Sequence, residues 1–115
     1  CTNPNSTAFT EERFWIRYVC GGFQGGERNA YLTACGEMAS NIATDEGRGI
    51  IVEWNDEMHW NKYVCTRKYK LLTPEYCMIP EQDIREKYKI AHFVPRIIAL
   101  TKDHDELRRD GNSPA

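Results

Sequence analysis

The sequence lacks a long apolar run, since none approaches the ~18 residues that a membrane-spanning helix needs. It also lacks an excess of one charge: 15 Lys and Arg face 17 Asp and Glu, for a formal net charge of −2. We therefore expect no membrane partner and no overall field that attracts nucleic acid. The short basic run at 67–70 is the nearest approach to a nucleic-acid patch, and we interpret it as a solvated strand end.

Motifs that specify a cofactor or a metal ion are missing as well. The cysteines form no C-x-x-C pair, and His59, His92 and His104 are too scattered for a zinc-binding helix. The glycine-rich segment 21–26 lacks the spacing of a P-loop or of a dinucleotide fingerprint, and no nucleophile elbow occurs. The sequence therefore predicts no cofactor and no metal site.

Cysteine, in contrast, is plentiful, with five residues in a chain of 115. This number is typical of an oxidising compartment. We predict structural disulfides, with the pairing left open, among Cys20, Cys35, Cys65 and Cys77. Cys1 either joins this set or is the lipidated first residue of a bacterial lipoprotein. The sequon Asn5-Ser6-Thr7 adds a predicted glycosylation site at Asn5, and a removed signal peptide before Cys1 fits a secreted, extracellular protein.

Hydrophobic patterning divides the chain into a flexible lead-in over 1–10, a single domain over 11–102 and a polar tail over 103–115. Residues 14–20 are rich in aromatic and β-branched types and predict a first strand. Residues 27–44 predict a helix, because one stripe recurs at helical spacing. Its members are Tyr31, Ala34, Cys35, Met38 and Ile42.

The second half of the chain predicts a hairpin of strands 49–54 and 58–66, joined by Asn55-Asp56-Glu57. The register sorts apolar residues to one face and places Glu53 directly opposite His59 on the other. The pattern then predicts an irregular connection at 67–80, held by a disulfide through Cys77. A helix over 80–89 and a last strand within 90–101 follow it. The predicted fold class is α+β, a disulfide-stapled four-stranded antiparallel sheet in β-α-β-β-α-β order with helices packed on one face.

Two groups of residues could carry function. Glu53 and His59 form a candidate acid-base pair for a small secreted ribonuclease, with Arg17 or Arg48 available for phosphate. The alternative is a surface ion pair that contributes about 0–1 kcal/mol. Loop residues offer the second group, because an aromatic in a glycine-rich loop suits contact with a protein partner. We predict partner binding through Phe23, Gln24, Arg28 and Asp56.

The segment Trp15-Ile16-Arg17-Tyr18, together with the cysteines and the predicted element order, resembles the LARS effectors of Leptosphaeria and related fungal plant pathogens. That family has a W-R-[FLV]-R motif, from which this segment departs after Trp15 and at Tyr18. The resemblance implies a four-stranded sheet tied to helices by disulfides and a non-enzymatic function. It further implies a secreted, monomeric effector that enters host cells or acts outside them, with a host plant protein or resistance protein as its partner, recognised as an avirulence protein. The ribonuclease remains the alternative.

Overall fold

The computed structural model describes residues 1–101, and over this range the protein is helical. It has α1 over Arg28–Gly47, α2 over Asn55–Val64 and α3 over Gln82–Lys87. Two 3-10 helices, Glu12–Arg17 and Pro74–Tyr76, complete the regular structure. None of the helices described is both long enough and apolar enough to cross a bilayer. The tail at 103–115, with His104, lies outside the described residues.

The chain divides into two compact units, Cys1–Lys70 and a second that begins at Leu71. The single domain predicted over 11–102 stays a prediction. In the second unit, Met78 is fully buried and exchanges two backbone hydrogen bonds with the segment around Ile98. Met78 N–H donates to the Ile97 carbonyl at 2.9 Å, and Ala99 N–H donates to the Met78 carbonyl at 2.8 Å.

The helix predicted over 27–44 is present as α1, which begins one residue later and ends three residues later. Glu27 is its N-cap: the carboxylate accepts hydrogen bonds from the backbone N–H groups of Asn29 and Ala30, both at 3.0 Å. The predicted stripe faces inward, with Ala34 buried and its other members half-buried. Gly49, at a φ of 72°, supplies the left-handed residue just past the helix end.

The predicted four-stranded sheet is wrong, because no strand forms within residues 1–101. A single isolated bridge, between Met78 and Ile98, is the β-type pairing that the described residues contain. The predicted first strand is a 3-10 helix, in which Phe14 N–H donates to the Glu11 carbonyl at 2.9 Å. In the predicted second strand Val52 is buried and Ile51 is 75% exposed, but this segment pairs with no neighbouring strand among the described residues.

The predicted third strand is the helix α2. Asp56 and Glu57 lie in its first turn and Lys62 in its last, which suits the helix dipole at both ends. Aromatic packing against α1 stabilises it: the rings of Tyr31 and Trp60 meet edge to face, with centroids 6.2 Å apart. The strand interpretation failed because aromatic and β-branched residues such as Trp60, Tyr63 and Val64 are typical of strands. They also fit a helix when, as in α2, that helix packs against a neighbour.

The predicted disulfides are also wrong. No disulfide forms among the described residues, which contain the expected bridge cysteines Cys20, Cys35, Cys65 and Cys77. Cys1, Cys20, Cys35 and Cys65 are free thiols in different surroundings, since Cys20 is exposed and the other three are half-buried. Stability therefore rests on helix packing and hydrogen bonds.

The second half of the amino-terminal segment 1–10 packs against the fold, whereas residues 2–5 are exposed. Ser6, Ala8 and Thr10 are buried. Ser6 Oγ donates to Asp45 Oδ2 at 2.6 Å, and Thr7 N–H donates to Asp45 Oδ1 at 2.8 Å. The last turns of α1 therefore hold this segment through one carboxylate.

Candidate functional site

Glu57, in the first turn of α2, is the carboxylate around which the candidate site is built. Its Oε1 accepts a hydrogen bond from the Tyr18 hydroxyl, and its Oε2 accepts one from the Gly21 backbone N–H at 2.6 Å. Gly21 opens the glycine-rich loop at 21–26. The carboxylate thus joins the start of α2 to the start of this loop, and an ionised carboxylate retains further acceptor sites for a ligand.

Asn61 lies one helical turn after Glu57, on the same face of α2. Its Oδ1 accepts the Val19 N–H at 2.9 Å, and its Nδ2 donates to the Val19 carbonyl at 2.8 Å and to the Glu57 carbonyl at 2.9 Å. Val19 therefore has both backbone groups paired with one side chain. We call this arrangement, in which Glu57 and Asn61 hold residues 18–21, the α2 clamp.

The clamp depends on a glycine at position 21. A Cβ atom there would lie 3.2 Å from Glu57 Cβ and 3.3 Å from Glu57 Oε2, which is closer than side chains normally pack. The absence of a side chain lets the backbone N–H reach the carboxylate. The pKa of Tyr18 is raised well above its ordinary value by burial, with the hydrogen bond to Glu57 and the charge of that carboxylate adding to it. The phenol therefore remains a hydrogen-bond donor at neutral pH.

A cavity of about 510 Å³ lies beside the clamp, and Tyr18 and Asn61 belong to both. Its volume is in the range of small-molecule sites. Trp15 forms part of the wall, and its indole N–H donates to the Thr10 carbonyl at 3.1 Å, which fixes the ring. The remaining residues of the wall are Cys1, Thr2, Asn3, Thr10, Phe14, Arg17, Ile51, Val52, Glu53, Met58 and Cys65.

The predicted acid-base pair of Glu53 and His59 is not brought together. Glu53 is exposed in the turn before α2 and lines the cavity. His59 is 1% exposed on α2, where its Nε2 lies 3.8 Å from Asp45 Oδ2. The cross-strand register that paired them does not exist, because α2 replaces the strand. The proposed phosphate ligands Arg17 and Arg48 are both exposed, and Arg48 donates to the Asn5 carbonyl at 3.4 Å.

The four residues predicted to bind a partner belong to three parts of the fold, and their role stays a prediction. Phe23 and Gln24 are in the glycine-rich loop, exposed and half-buried respectively, and Arg28 is the first residue of α1. Asp56 is exposed beside Glu57. The sequence analysis missed Glu57 and Asn61 as site residues. Their i, i+4 spacing, in a segment that opens with the acidic pair Asp56-Glu57, is typical of one face of a helix.

The described residues contain no group of three or more His, Cys, Asp and Glu side chains that could hold a metal ion. The groups that this site presents are a carboxylate, a phenol, backbone N–H groups and an aromatic-walled cavity.

Comparison with known proteins gives a consistent result. Residues 2–109 match the model of glycosyltransferase family 6. The chain is 32% identical over 109 residues to histo-blood group ABO system transferase 1 of Rattus norvegicus, a match that covers 91% of this chain and 30% of the relative. It is 33% identical over 85 residues to alpha-1,3-galactosyltransferase 2 of Homo sapiens, covering 73% of this chain and 24% of the relative. No solved structure matches.

These matches overturn the resemblance to the LARS effectors. The segment Trp15-Ile16-Arg17-Tyr18 is not an effector motif, and the relatives are transferases. The expectations of a non-enzymatic avirulence protein and of a plant resistance protein as partner are therefore wrong. The ribonuclease alternative is wrong for the same reason, and the separation of Glu53 from the buried His59 agrees with this. The chain spans about a third or less of the length of the curated relatives it matches.

Proposed function

Because the chain belongs to glycosyltransferase family 6, we propose that it takes part in the transfer of a sugar from a sugar nucleotide to an acceptor hydroxyl. The observation that carries this proposal is the carboxylate of Glu57, held by the Gly21 N–H at 2.6 Å where the glycine-rich loop meets α2. The names of the relatives support a sugar as the group transferred.

Glycosyl transfer breaks the bond between the anomeric carbon and the donor phosphate oxygen, and forms a bond from that carbon to the acceptor oxygen. Positive charge develops on the sugar ring, and the acceptor hydroxyl loses a proton. A carboxylate can stabilise the first or accept the second. Glu57 suits this role because its two hydrogen bonds fix both oxygens and leave acceptor capacity free.

The cavity beside the clamp suits the substrate side of this reaction. A fixed aromatic ring such as Trp15 can pack against the C–H face of a sugar, and charged side chains at the wall can meet its hydroxyl groups. Glu53 and Arg17 are the charged side chains in that wall. Neither has an ion-pair partner among the described residues.

The test is the variant Glu57→Gln in the purified protein, assayed with a panel of nucleotide-linked sugars and lactose as acceptor. We expect kcat to fall by about 10²–10⁴-fold, the usual contribution of a group that accepts or donates a proton in the reaction. Gln keeps the shape of the side chain, so the circular dichroism spectrum is expected to stay unchanged.

The matched control is Glu46→Gln, at an exposed glutamate near the end of α1. It is expected to leave kcat within about twofold, as surface substitutions away from a site do. If Glu57→Gln transferred sugar as fast as the Glu46 variant, the role given to Glu57 would be wrong.

The secretory route remains a proposal. The predicted disulfides no longer support it, and the sequon at the exposed Asn5 is the support that is left. Expression in a eukaryotic secretory host, with a mass measurement before and after removal of N-linked glycans, tests it. A mass loss that Asn5→Gln abolishes would support the proposal, whereas an unmodified chain would contradict it.

A further inference from the structure

A buried polar cluster lies on the side of α2 away from the clamp. Asp45 of α1 and His59 of α2 are each 1% exposed, and their nearest side-chain atoms, Oδ2 and Nε2, are 3.8 Å apart. Asp45 accepts hydrogen bonds from Ser6 Oγ and Thr7 N–H through its side chain. The backbone carbonyl of Asp45 accepts the N–H of Ile50 at 2.9 Å, just past the end of α1. Asp45 thus holds the amino-terminal segment and the end of α1 by hydrogen bonds, and it lies beside a buried side chain of α2.

His59 has no hydrogen-bond partner at either ring nitrogen within the described residues. Burying an imidazole whose nitrogens lack hydrogen-bond partners costs free energy of folding, and the fold keeps His59 buried despite this cost. The nearby charge that acts on it is the Asp45 carboxylate. The ring and the carboxylate lie on different helices, with Nε2 3.8 Å from Asp45 Oδ2, so their separation changes when α2 rotates.

Helix geometry connects this cluster to the clamp. Successive residues of a helix are turned by about 100°, so Glu57 and His59 point in nearly opposite directions, about 200° apart. Glu57 and Asn61 face residues 18–21, while His59 faces α1. A rotation of α2 that separated His59 from Asp45 would therefore carry the Glu57 carboxylate away from the Gly21 N–H.

We propose that Asp45 and His59 are positioning residues, which fix the rotation of α2 and so hold Glu57 in the clamp against Gly21. The consequence for sugar transfer rests on the proposed function of Glu57. The positioning itself concerns the geometry of the folded chain and is measured without any substrate.

The experiment follows the backbone amides of Gly21 and Val19 by hydrogen exchange in two-dimensional NMR, in the wild type and in Asp45→Asn. Both amides donate to side chains of α2, at 2.6 and 2.9 Å. We expect the protection of Gly21 to fall about tenfold in the variant, the change that loss of one hydrogen bond to a charged acceptor produces. Amides in the middle of α1, such as that of Cys35, are expected to change far less.

Two further variants separate positioning from a general loss of stability. Val64→Ala removes buried apolar contacts from α2 without touching the pair, and Val64 is only 4% exposed. It is expected to lower the protection of all slowly exchanging amides together. His59→Gln removes the imidazole and is expected to reproduce the selective effect at Gly21 even if Asp45→Asn fails to fold.

The outcomes are distinct. Selective loss of protection at Gly21 in Asp45→Asn or His59→Gln supports the proposal. Unchanged Gly21 protection in folded variants, or an equally selective loss at Gly21 in Val64→Ala, overturns it. Neither result depends on Glu57 being catalytic, since that role is tested by the activity of Glu57→Gln. If positioning is correct and Glu57 is catalytic, His59→Gln also lowers kcat.

Discussion

Asp45 and Glu57 are held by hydroxyl and backbone N–H donors, and within the described residues neither pairs with Lys or Arg. Burial alone would raise the pKa of Asp45, but the hydrogen bonds from Ser6 and Thr7 outweigh it and hold that pKa below its usual value. Burial lowers the pKa of His59, against the opposing effect of Asp45. The buried cluster therefore contains an ionised carboxylate and a neutral imidazole at neutral pH.

These shifts predict that acidification destabilises the fold. As the pH falls through 6.5, the unfolded chain binds a proton at His59 that the folded chain does not. As the pH falls below 3.8, the unfolded chain binds a proton at Asp45 more readily than the folded chain does. The stabilising contribution of Asp45 is therefore present above pH 3.8 and is lost as the pH falls further. We expect the free energy of unfolding, measured by urea denaturation, to decrease from pH 7 to pH 5.

His59→Gln is expected to flatten this decrease between pH 7 and pH 5, because it removes the titrating group. The control is His92→Gln, at an exposed histidine of the second unit, which is expected to retain it. Equal slopes in the wild type and in His59→Gln would contradict the assignment.

Gly21 provides the sharpest steric prediction. In Gly21→Ala the new Cβ would lie 3.2 Å from Glu57 Cβ, so the loop must move away from α2 and weaken the N–H bond to the carboxylate. We expect the proposed sugar transfer to fall by about tenfold, in line with one weakened hydrogen bond to a charged group. Gly25→Ala is the matched control, since a Cβ there meets nothing within 4 Å.

At the scale of elements, α1 was predictable and α2 was not. The stripe from Tyr31 to Ile42 has helical spacing, and Glu27 marks the start of α1 with an acidic side chain. Residues 55–64 hold aromatic and β-branched residues that also suit a strand, so the choice is made by packing against α1. The error then spread to the site, because the hairpin register set Glu53 opposite His59, whereas α2 buries His59 beside Asp45 and leaves Glu53 exposed.

The entry into α2 carries local strain. Trp54, its N-cap, has a φ of 52°, in the left-handed region that non-glycine residues seldom adopt, and it is 68% exposed. Trp54→Asn is expected to raise the free energy of unfolding by up to about 1 kcal/mol, since Asn tolerates this conformation. Trp54→Ala keeps the conformational cost and is expected to give no gain. Equal effects of the two substitutions in urea denaturation would refute this explanation.

At the scale of the whole molecule, family membership could not be derived from the composition. A near-neutral chain with five cysteines and no motif fits many classes, and the cysteines suggested the wrong one. The sequence predicted only part of the site. Asp56 and the loop residues were predicted as contacts for a protein partner, whereas Glu57 and Asn61 are identified only by their hydrogen bonds to residues 18–21. Those contacts link positions distant in sequence, which no local pattern encodes.

The free thiols give a prediction for the molecule as a whole. Denaturation without a reductant, followed by alkylation and peptide mass mapping, is expected to modify Cys1, Cys20, Cys35 and Cys65. The control is the same sample reduced before alkylation, which is expected to add nothing at these four positions. A disulfide-linked peptide containing any of them would contradict the structure.

The α2 clamp has a consequence for how the protein is made. Gly21 and Glu57 are separated by 36 positions, and Val19 and Asn61 by 42. A chain emerging from the ribosome therefore presents the glycine-rich loop well before the residues that shape it. Residues 18–21 cannot take their final arrangement until α2 has been synthesised, so a nascent chain stalled before residue 57 would lack the α2 clamp.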